Sequence, residues 1–280
     1  MTQAANKHLV EYEQKGYTIF RNVLDADLIK ESVEHIDWLL KRNPDLRPEQ
    51  LDNYLMTHDA FWVRLVSDER LLKIAEIFLG QNLALFASHY ISKRPGDGQK
   101  VLWHQDGSYW PLEPMEVATL WLAVDDSDQE NGCMRVIPGT QNQRLLSLED
   151  MEKIPDGNVL GSGIAPDQVA EDEAVDIVLK AGDISMHDPK VIHGSNANNS
   201  DRWRRALTIR YMPASTRIIT DTQWPSAFML SGAAQSGVNS YLPWPKYAGG
   251  DQMSFAGHQA WNEKCDQMNA RYAAEINQNL

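Results

Sequence analysis

The 280-residue sequence lacks the features that define several common protein classes. Its only two cysteines, Cys133 and Cys265, form no Cys-x-x-Cys pair, which argues against a zinc finger or a disulfide scaffold and fits a reducing compartment. The first 20 residues carry charges throughout and never reach the run of ~7–15 apolar residues that a secretory signal needs. No stretch is apolar enough for a membrane-spanning helix of about 20 residues. We therefore expect a cytoplasmic protein without a membrane segment.

Basic residues are also scarce, with 26 Lys and Arg against 39 Asp and Glu and a net charge of -13. Such a surface repels phosphate backbones and anionic lipids, so the expected partner is a small molecule and not nucleic acid or a membrane. The sequence contains neither a Gly-x-Gly-x-x-Gly phosphate loop nor the Gly-x-Ser-x-Gly motif of serine hydrolases. The sequence leaves open whether the chain forms a homodimer.

The order of periodic segments predicts a mainly β protein with flanking α-helices. Turn residues separate a strand and several helices before residue 80, and short β-rich runs follow between 83 and 213. The predicted strands cover residues 17–23, 83–92, 117–124, 134–137, 175–179, 184–187 and 206–212, and the predicted helices begin at Asp25 and cover 48–56, 59–66 and 68–79. Many short strands between turns favour a barrel or a jelly roll.

We interpret residues 1–280 as one domain with a helical N-terminal region (1–80), a jelly-roll core (about 83–213) and a C-terminal extension (214–280). Only the last twenty residues of the extension have a helical pattern. Residues 139–174 form an insertion too long for a turn, and we expect it to cover a site as a lid.

The segment Trp103-His-Gln-Asp-Gly107 is the first candidate for a metal site. On extended backbone, residues two apart face the same side about 6.6 Å from each other, so His104 and Asp106 can turn toward one point. An imidazole and a carboxylate suit Fe(II), Mn(II) or Zn(II), and a second histidine would leave three coordination positions open. The pair alone does not identify a metal site.

A second histidine, His193, follows in Val191-Ile-His-Gly-Ser195. A packed core histidine is the alternative, and His187 competes for the same role. Arg204 stands at the start of a predicted strand, where its guanidinium suits bidentate capture of a carboxylate with help from the Ser195 hydroxyl. The alternative is a solvated basic turn, which we expect for at least one of Arg202, Arg204 and Arg205. Residues 185–217 carry six basic and two acidic side chains, so positive charge gathers near this histidine in an acidic protein.

Together these segments resemble the phytanoyl-CoA dioxygenase family of Fe(II)- and 2-oxoglutarate-dependent oxygenases. The resemblance runs from about Tyr17 to Met212 and depends on the order and spacing of five motifs. They are Trp103-His-Gln-Asp-Gly107, Trp121 ten residues before Asn131-Gly-Cys133, Arg135-Val-Ile-Pro-Gly-Thr140, His193-Gly-Ser195 and Arg204. The fold that the resemblance implies is a double-stranded β-helix, which agrees with the predicted jelly roll.

The resemblance also implies the roles of individual residues. It places Fe(II) on His104, Asp106 and His193, and the distal carboxylate of 2-oxoglutarate on Arg204 and Ser195. Two further residues, Trp121 and Thr119, are implied beside this cosubstrate. Dioxygen is the third reactant, and the implied reaction is hydroxylation of a C–H bond. Related halogenases have Gly or Ala in place of the carboxylate, so Asp106 favours hydroxylation.

The substrate is less defined by these motifs. Tyr109 and Trp110 follow the metal motif and are candidates to line the substrate pocket, where aromatic rings can hold an ammonium group. Tyr90 and Lys93 lie one strand earlier, and Lys93 is a candidate partner for an anion. For these residues a packed loop or a solvated lysine is the alternative, and His89 is interpreted as a core or pocket-wall residue. We favour a compact polar substrate such as an amino- or trimethylammonio-alkylphosphonate.

Two rival functions remain at this point. The same cofactors support desaturation, cyclisation or epimerisation of a natural-product intermediate, since substrate placement decides the outcome. A metal-binding jelly roll without catalytic activity would explain His104 and Asp106, but it gives no reason for Arg204 or Ser195.

Overall fold

A computed structural model describes residues 3–154 and 159–278 of the chain. Its α-helices are α1 (Gln3–Lys15), α2 (Ala26–Arg42), α3 (Asn53–Met56), α4 (Ala60–Val66), α5 (Glu69–Leu79) and α6 (His258–Gln278). Its strands are β1 (Tyr17–Phe20), β2 (Leu83–Tyr90), β3 (Val101–His104), β4 (Leu112–Glu113), β5 (Ala118–Ala123), β6 (Met134–Ile137), β7 (Glu152–Lys153), β8 (Ser162–Gly163), β9 (Val175–Asp176), β10 (Ile184–His187), β11 (Ile192–Ser195), β12 (Ala206–Pro213), β13 (Arg217–Ile218) and β14 (Phe228–Ser231).

Aspartates begin four of the N-terminal helices. The side chains of Asp25, Asp52, Asp59 and Asp68 each accept a backbone N–H from the first turn of α2, α3, α4 and α5, which satisfies donors that have no partner within the helix. Helix α5 ends at Gly80, whose φ of 79° is favourable for glycine. The predicted helix over 48–56 is instead a 3-10 turn at Pro48–Gln50 followed by α3.

The strands form two antiparallel sheets that confirm the predicted jelly roll. The large sheet has the order β1-β10-β5-β12-β2-β14, and the small sheet has the order β3-β11-β6-β9. Strands distant in sequence are therefore neighbours in space, as in a double-stranded β-helix. The large sheet extends beyond the predicted limits of 83–213, because β1 forms one of its edges and β14 the other.

The two faces of the large sheet differ in chemistry. Leu120, Leu122 and Ile209 face outward and belong to a buried cluster with helix residues such as Ile36 and Trp62. The alternate positions face the small sheet, where Trp121 and Ala206 pack with Met134 and Val136. Because side chains alternate along a strand, the helices cover one face and leave the other to form a site between the sheets.

The insertion at 139–174 contains the β7–β8 hairpin and several 3-10 turns. Residues 155–158 of this predicted lid lie outside the described residues. Within the described part of the chain, no helix has the length and apolar content needed to cross a bilayer.

Candidate active site

Pairing of β3 with β11 brings the two predicted metal-binding histidines together. His104 and His193 are directly opposite each other in the antiparallel register, and their ring centroids are 4.1 Å apart. A Cβ on Gly194 would lie 2.9 Å from the Val101 carbonyl oxygen, so this close strand approach requires glycine between His193 and Ser195. Asp106 follows β3 at the start of a 3-10 turn, Asp106–Tyr109.

The side chains of these three residues converge on one point. One ligand atom from each of His104, Asp106 and His193 lies within 4.8 Å of the others, and all three residues are buried. The Nε2 atoms of His104 and His193 are 3.5 and 3.9 Å from Asp106 Oδ1. The other carboxylate oxygen, Oδ2, accepts a hydrogen bond from the Thr119 hydroxyl at 3.1 Å. Asp106 Oδ1 is therefore the oxygen that faces the point shared with the imidazoles.

Backbone carbonyls orient both imidazole rings. Nδ1 of His104 lies 2.7 Å from the Leu102 oxygen, and Nδ1 of His193 lies 3.1 Å from the Val191 oxygen. A carbonyl accepts only from a protonated nitrogen, so the proton is assigned to Nδ1 and the lone pair of each Nε2 points toward Asp106. Metal-binding histidines are oriented in this way in known sites.

The ionisation of the cluster also suits a divalent cation. Burial raises the pKa of Asp106, but contacts with His104 and His187 and the charges of His193 and Arg210 outweigh it and hold this pKa well below its usual range. Burial, followed by the charge of His104, lowers the pKa of His193 well below 6.5. The site thus offers a carboxylate and a neutral imidazole at pH 7, which are the forms that bind Fe(II).

His187, the competing histidine, lies on the outer side of the carboxylate. Its Nε2 is 3.6 Å from Asp106 Oδ2, and its ring centroid is 4.7 Å from that of His193. Neither ring nitrogen has a hydrogen-bond partner among the described residues. The converging set consists of His104, Asp106 and His193, and His187 lies beside it.

Arg204 lies in the same cavity as the metal-binding cluster. Only 1% of the residue is exposed, and its guanidinium carbon is 5.4 Å from the centroid of the Trp121 ring. Its Nε and Nη2 atoms have no hydrogen-bond partner in the described part of the chain. By contrast, Arg202 pairs with Asp128 and Arg205 pairs with Asp125. The solvated basic turn therefore describes Arg202 and not Arg204.

Lys93 and Ser195 lie next to this guanidinium. The Lys93 ammonium nitrogen is 2.7 Å from Ser195 Oγ and also contacts the Asn196 carbonyl oxygen, while the backbones of Lys93 and Arg204 form a β-bridge. Burial, and then the charge of Arg204, lowers the pKa of Lys93 to about 6, and burial lowers the pKa of Arg204 to about 10. No carboxylate of the described chain forms an ion pair with either residue. Two buried basic groups without an acid predict an anionic ligand here.

The cavity that joins these groups has a volume of about 80 Å³. Its walls include the metal-binding triad, Ser195, Arg204 and Trp121, together with His89, His187, Thr208, Arg210, Val159 and Leu160. Val159 and Leu160 belong to the insertion at 139–174, whose role as a lid stays a prediction. A larger cavity of about 840 Å³ lies among C-terminal residues such as Arg217, Trp224 and Asn239. It contains no member of the triad, so we assign the chemistry to the smaller cavity.

The residues predicted to bind substrate separate into different environments. The Tyr109 hydroxyl donates to the Ser162 carbonyl in the insertion at 2.7 Å, and Trp110 lies under the guanidinium of Arg210. Lys93 contacts Ser195, at the Arg204 end of the cavity. Tyr90 does not face the cavity at all. It is fully buried on the opposite face of β2, with its hydroxyl 2.8 Å from His35 Nδ1.

Replacing Tyr90 with phenylalanine is expected to lower stability without changing catalysis. His35 donates through Nε2 to Asp59 at 2.8 Å, which leaves Nδ1 to accept from Tyr90. Loss of that buried donor should reduce the free energy of unfolding by about 1–3 kcal/mol. Denaturant titration and steady-state kinetics measure the two effects, and Tyr54→Phe at an exposed position is the matched control. A large fall in kcat with unchanged stability would contradict this assignment.

Sequence reasoning did not identify Arg210 or Thr208 as site residues, and it left His89 open. Thr208 and Arg210 occupy alternate positions of β12, between Leu207, Ile209 and Tyr211 on the opposite face. Polar side chains with a period of two in an otherwise apolar strand were the available signal.

The sequence is similar to known proteins over most of its length. The family model for phytanoyl-CoA dioxygenase matches residues 12–206. Peroxisomal phytanoyl-CoA dioxygenase from Rattus norvegicus is 30% identical over 237 residues, which cover 75% of this chain and 68% of the relative. A probable alpha-ketoglutarate-dependent hypophosphite dioxygenase from Stutzerimonas stutzeri is 24% identical over 222 residues, which cover 73% of this chain and 77% of the relative.

Solved structures share the fold. The apo form of the non-heme monooxygenase ThoJ superimposes with a TM-score of 0.73 at 21% identity, over 96% of this chain and 97% of the other. The epimerase SnoN, in complex with Fe3+, alpha ketoglutarate and nogalamycin RO, gives a TM-score of 0.65 at 22% identity, over 84% of this chain and 96% of SnoN. The family model covers more than half of the sequence and the jelly roll agrees with it. The chain belongs to the phytanoyl-CoA dioxygenase family of Fe(II)- and 2-oxoglutarate-dependent oxygenases.

Proposed function

We propose that this oxygenase hydroxylates a C–H bond of a compact polar molecule, with Fe(II) on His104, Asp106 and His193. Arg204 and Ser195 bind the distal carboxylate of 2-oxoglutarate beside Trp121. One observation carries the proposal: a buried guanidinium without a partner in the described chain shares a cavity with two imidazoles and a carboxylate that converge on one point.

The residues present fit both groups. Three protein ligands on one side of a metal leave positions open for a 2-oxo acid and dioxygen. When bound, the metal supplies the activation of dioxygen that accompanies conversion of 2-oxoglutarate to succinate. The chain itself holds the ligand atoms in place through Thr119 and the Leu102 and Val191 carbonyls. Arg204 and Ser195 orient the cosubstrate, and the insertion excludes water from the cavity.

Thr119 was predicted beside the cosubstrate, but its hydroxyl contacts Asp106. We therefore propose that Thr119 orients the metal-binding carboxylate. The carboxylate itself favours hydroxylation over halogenation, because it occupies the position that a halide would need. The unpartnered Arg204 argues against a metal-binding jelly roll without catalytic activity.

The charge of the cavity favours an acidic substrate. Besides Arg204, a second buried arginine, Arg210, lines the same cavity. The relative from Stutzerimonas stutzeri is described as acting on hypophosphite, a small phosphorus oxyanion. These observations support an amino- or trimethylammonio-alkylphosphonate as the substrate class.

We also propose that residues 1–280 form a single domain, because β1 and β14 border the same sheet. A cytoplasmic location is supported by Cys133 and Cys265, which are both buried and unbridged. The homodimer stays a prediction that light scattering of the purified chain can test.

An anaerobic spectroscopic titration tests the proposed function. Fe(II) is added to one equivalent, followed by 2-oxoglutarate, and a visible metal-to-ligand charge-transfer band is expected with saturable intensity. Succinate, which lacks the keto oxygen, is the matched control and should give no band. Absence of the band with 2-oxoglutarate in the folded wild-type protein would refute the proposed function.

A further inference from the structure

A second buried arginine, Arg210 in the interior of β12, lines the same cavity as Arg204, which precedes that strand. Arg210 pairs in register with Thr119, whose hydroxyl holds Asp106, whereas Arg204 lies over Trp121. Six residues of extended chain separate the two arginines, which corresponds to about 20 Å along the strand. Both residues line the same cavity, as does Thr208 between them. The metal-binding triad therefore has one guanidinium toward each end.

Arg210 is buried without an acidic partner among the described residues. Only 9% of the residue is exposed, and its Nε has no hydrogen-bond partner among residues 3–154 and 159–278. No ion pair within 4.0 Å is found for its guanidinium in those ranges. Asp106 is the carboxylate that attracts it, but both oxygens of Asp106 are already directed elsewhere, to the imidazoles and to Thr119. An unpaired buried cation is costly, so the position favours an anion from outside the chain.

Aromatic side chains fix the direction of this guanidinium. Its central carbon lies 5.5 Å from the Trp110 ring centroid, and Trp110 packs edge-to-face on Phe86. Phe86 in turn stacks on Trp224 of the C-terminal extension at 5.0 Å. The register of β2 and β12 shifts next to Arg210, and the Phe86 carbonyl at this irregularity accepts from Trp224 Nε1 at 2.8 Å. Stacking on a rigid wall orients the guanidinium in advance of binding.

The charges of the site leave Arg210 unbalanced once the cosubstrate is bound. A divalent metal with one carboxylate and Arg204 together carry two positive charges, which the two carboxylates of 2-oxoglutarate neutralise. Lys93 lies next to Ser195, at the Arg204 end of the cavity. The remaining positive charge near Thr119 and Asp106 is that of Arg210.

His89 lines the same cavity as Arg210 and offers a hydrogen-bond acceptor. Burial, and then the charge of Arg210, lowers the pKa of His89 to about 4. Its Nε2 lies 2.7 Å from the Glu49 carbonyl and donates to it, so Nδ1 of the neutral ring is an acceptor. An anion that also carries an N–H or O–H donor matches this pair.

We propose that Arg210 anchors the substrate through an oxyanion, a phosphonate or carboxylate, and so positions its C–H bond at the metal-binding triad. This inference rests on the proposed function and names the substrate class of that site. The recognised compound is a compact acid with a hydrogen-bond donor, held by His89 and by Arg210, whose guanidinium lies over Trp110.

The test measures substrate binding and cosubstrate binding separately. Calorimetry under anaerobic conditions follows the binding of 2-aminoethylphosphonate and β-alanine to the wild-type complex with Fe(II) and 2-oxoglutarate. The N-trimethyl derivative of 2-aminoethylphosphonate, which lacks the N–H donor for His89, is compared with them and should bind more weakly. The dimethyl or methyl esters of the same compounds, which keep the ammonium group but lack the negative charge of the acid, are measured in parallel. At least one acid should bind, and its ester should bind at least 30-fold more weakly. Arg210→Gln should weaken binding of the acid by roughly 30-fold or more, as expected for truncating a buried charge pair. Arg210→Lys should recover part of this lost affinity.

Retention of the 2-oxoglutarate band in Arg210→Gln, with an unchanged Kd for the cosubstrate, is expected and also shows that the variant is folded. Arg202→Gln, at an exposed ion pair, is the matched control. Failure of every acid to bind, equal binding of acid and ester, or a selective loss of 2-oxoglutarate affinity in Arg210→Gln would each overturn the inference. A missing band in the wild type would instead refute the proposed function.

Discussion

Replacing His193 with alanine is expected to abolish stoichiometric iron binding and all 2-oxoglutarate turnover. The imidazole faces His104 across β3 and β11 and contributes one of three converging ligand atoms. Removing a partner that merely orients a metal ligand typically weakens metal binding 10–100-fold, so losing a ligand itself should weaken it by at least ~100-fold. Anaerobic titration with Fe(II), read by metal analysis after gel filtration, measures the stoichiometry, and oxygen consumption measures turnover.

His187→Ala is the control that separates the two candidate ligands. His187 is buried near Asp106 Oδ2, on the side of the carboxylate that Thr119 also contacts. This variant should therefore retain one equivalent of iron, with a reduction in affinity no greater than that of an orienting residue. Full activity in His193→Ala, or loss of iron only in His187→Ala, would show that the second histidine ligand is His187.

Replacing Arg204 with methionine is expected to stabilise the ligand-free protein while disabling cosubstrate binding. Burial lowers the pKa of Arg204 from 12.5 to about 10, so the folded state disfavours the charged side chain at every pH below about 10. That pKa shift corresponds to a destabilisation of the folded state by about 3 kcal/mol, which the substitution removes. Loss of the contact with Trp121 offsets ~0.5–1 kcal/mol of this gain in stability. The free energy of unfolding at pH 7 should therefore rise by about 2 kcal/mol. The difference from wild type should shrink only above about pH 10, where the wild-type guanidinium loses its proton in the folded state.

The same substitution should weaken 2-oxoglutarate binding by 30-fold or more, because it removes one partner of a buried charge pair. Denaturant titrations with and without 2-oxoglutarate, in the presence of Fe(II) and absence of oxygen, measure both effects on one sample. Arg205→Met is a useful control, since Arg205 is paired with Asp125 and should lose stability on substitution. If Arg204→Met keeps the 2-oxoglutarate-induced stabilisation of the wild type, Arg204 does not hold the cosubstrate.

The C-terminal extension contributes to the packing around Arg210. Trp224 follows the predicted core and stacks on Phe86, which supports Trp110 under the guanidinium. The strand β14 then closes the edge of the large sheet beside β2. The extension thus supports the side chains on which the Arg210 guanidinium lies. If Arg210 binds the substrate as proposed, differences in this part of the chain would alter which acids fit.

The sequence alone determined the features that depend on local spacing. Asp25, Asp59 and Asp68 predicted helix starts because a side-chain acceptor before a helix satisfies its first N–H groups. The β-rich runs predicted Met134–Ile137 and Ile184–His187 with the observed ends. His104 and Asp106 could be paired because two residues on extended backbone share a side, and the order of motifs connected them to His193 and Arg204.

Only the tertiary structure decided what depends on pairing between distant strands. The register of β10, β5 and β12 aligns His187, Thr119 and Arg210 in one row, and no local pattern specifies that register. The pairing of the strands also places Tyr90 in the helix-covered core, while its neighbour His89 faces the cavity. Because adjacent side chains in a strand point to opposite faces, their roles are fixed only when the partners on each face are known. For the same physical reason, the sequence could name a basic segment, but only the folded chain showed which arginines lack an acidic partner.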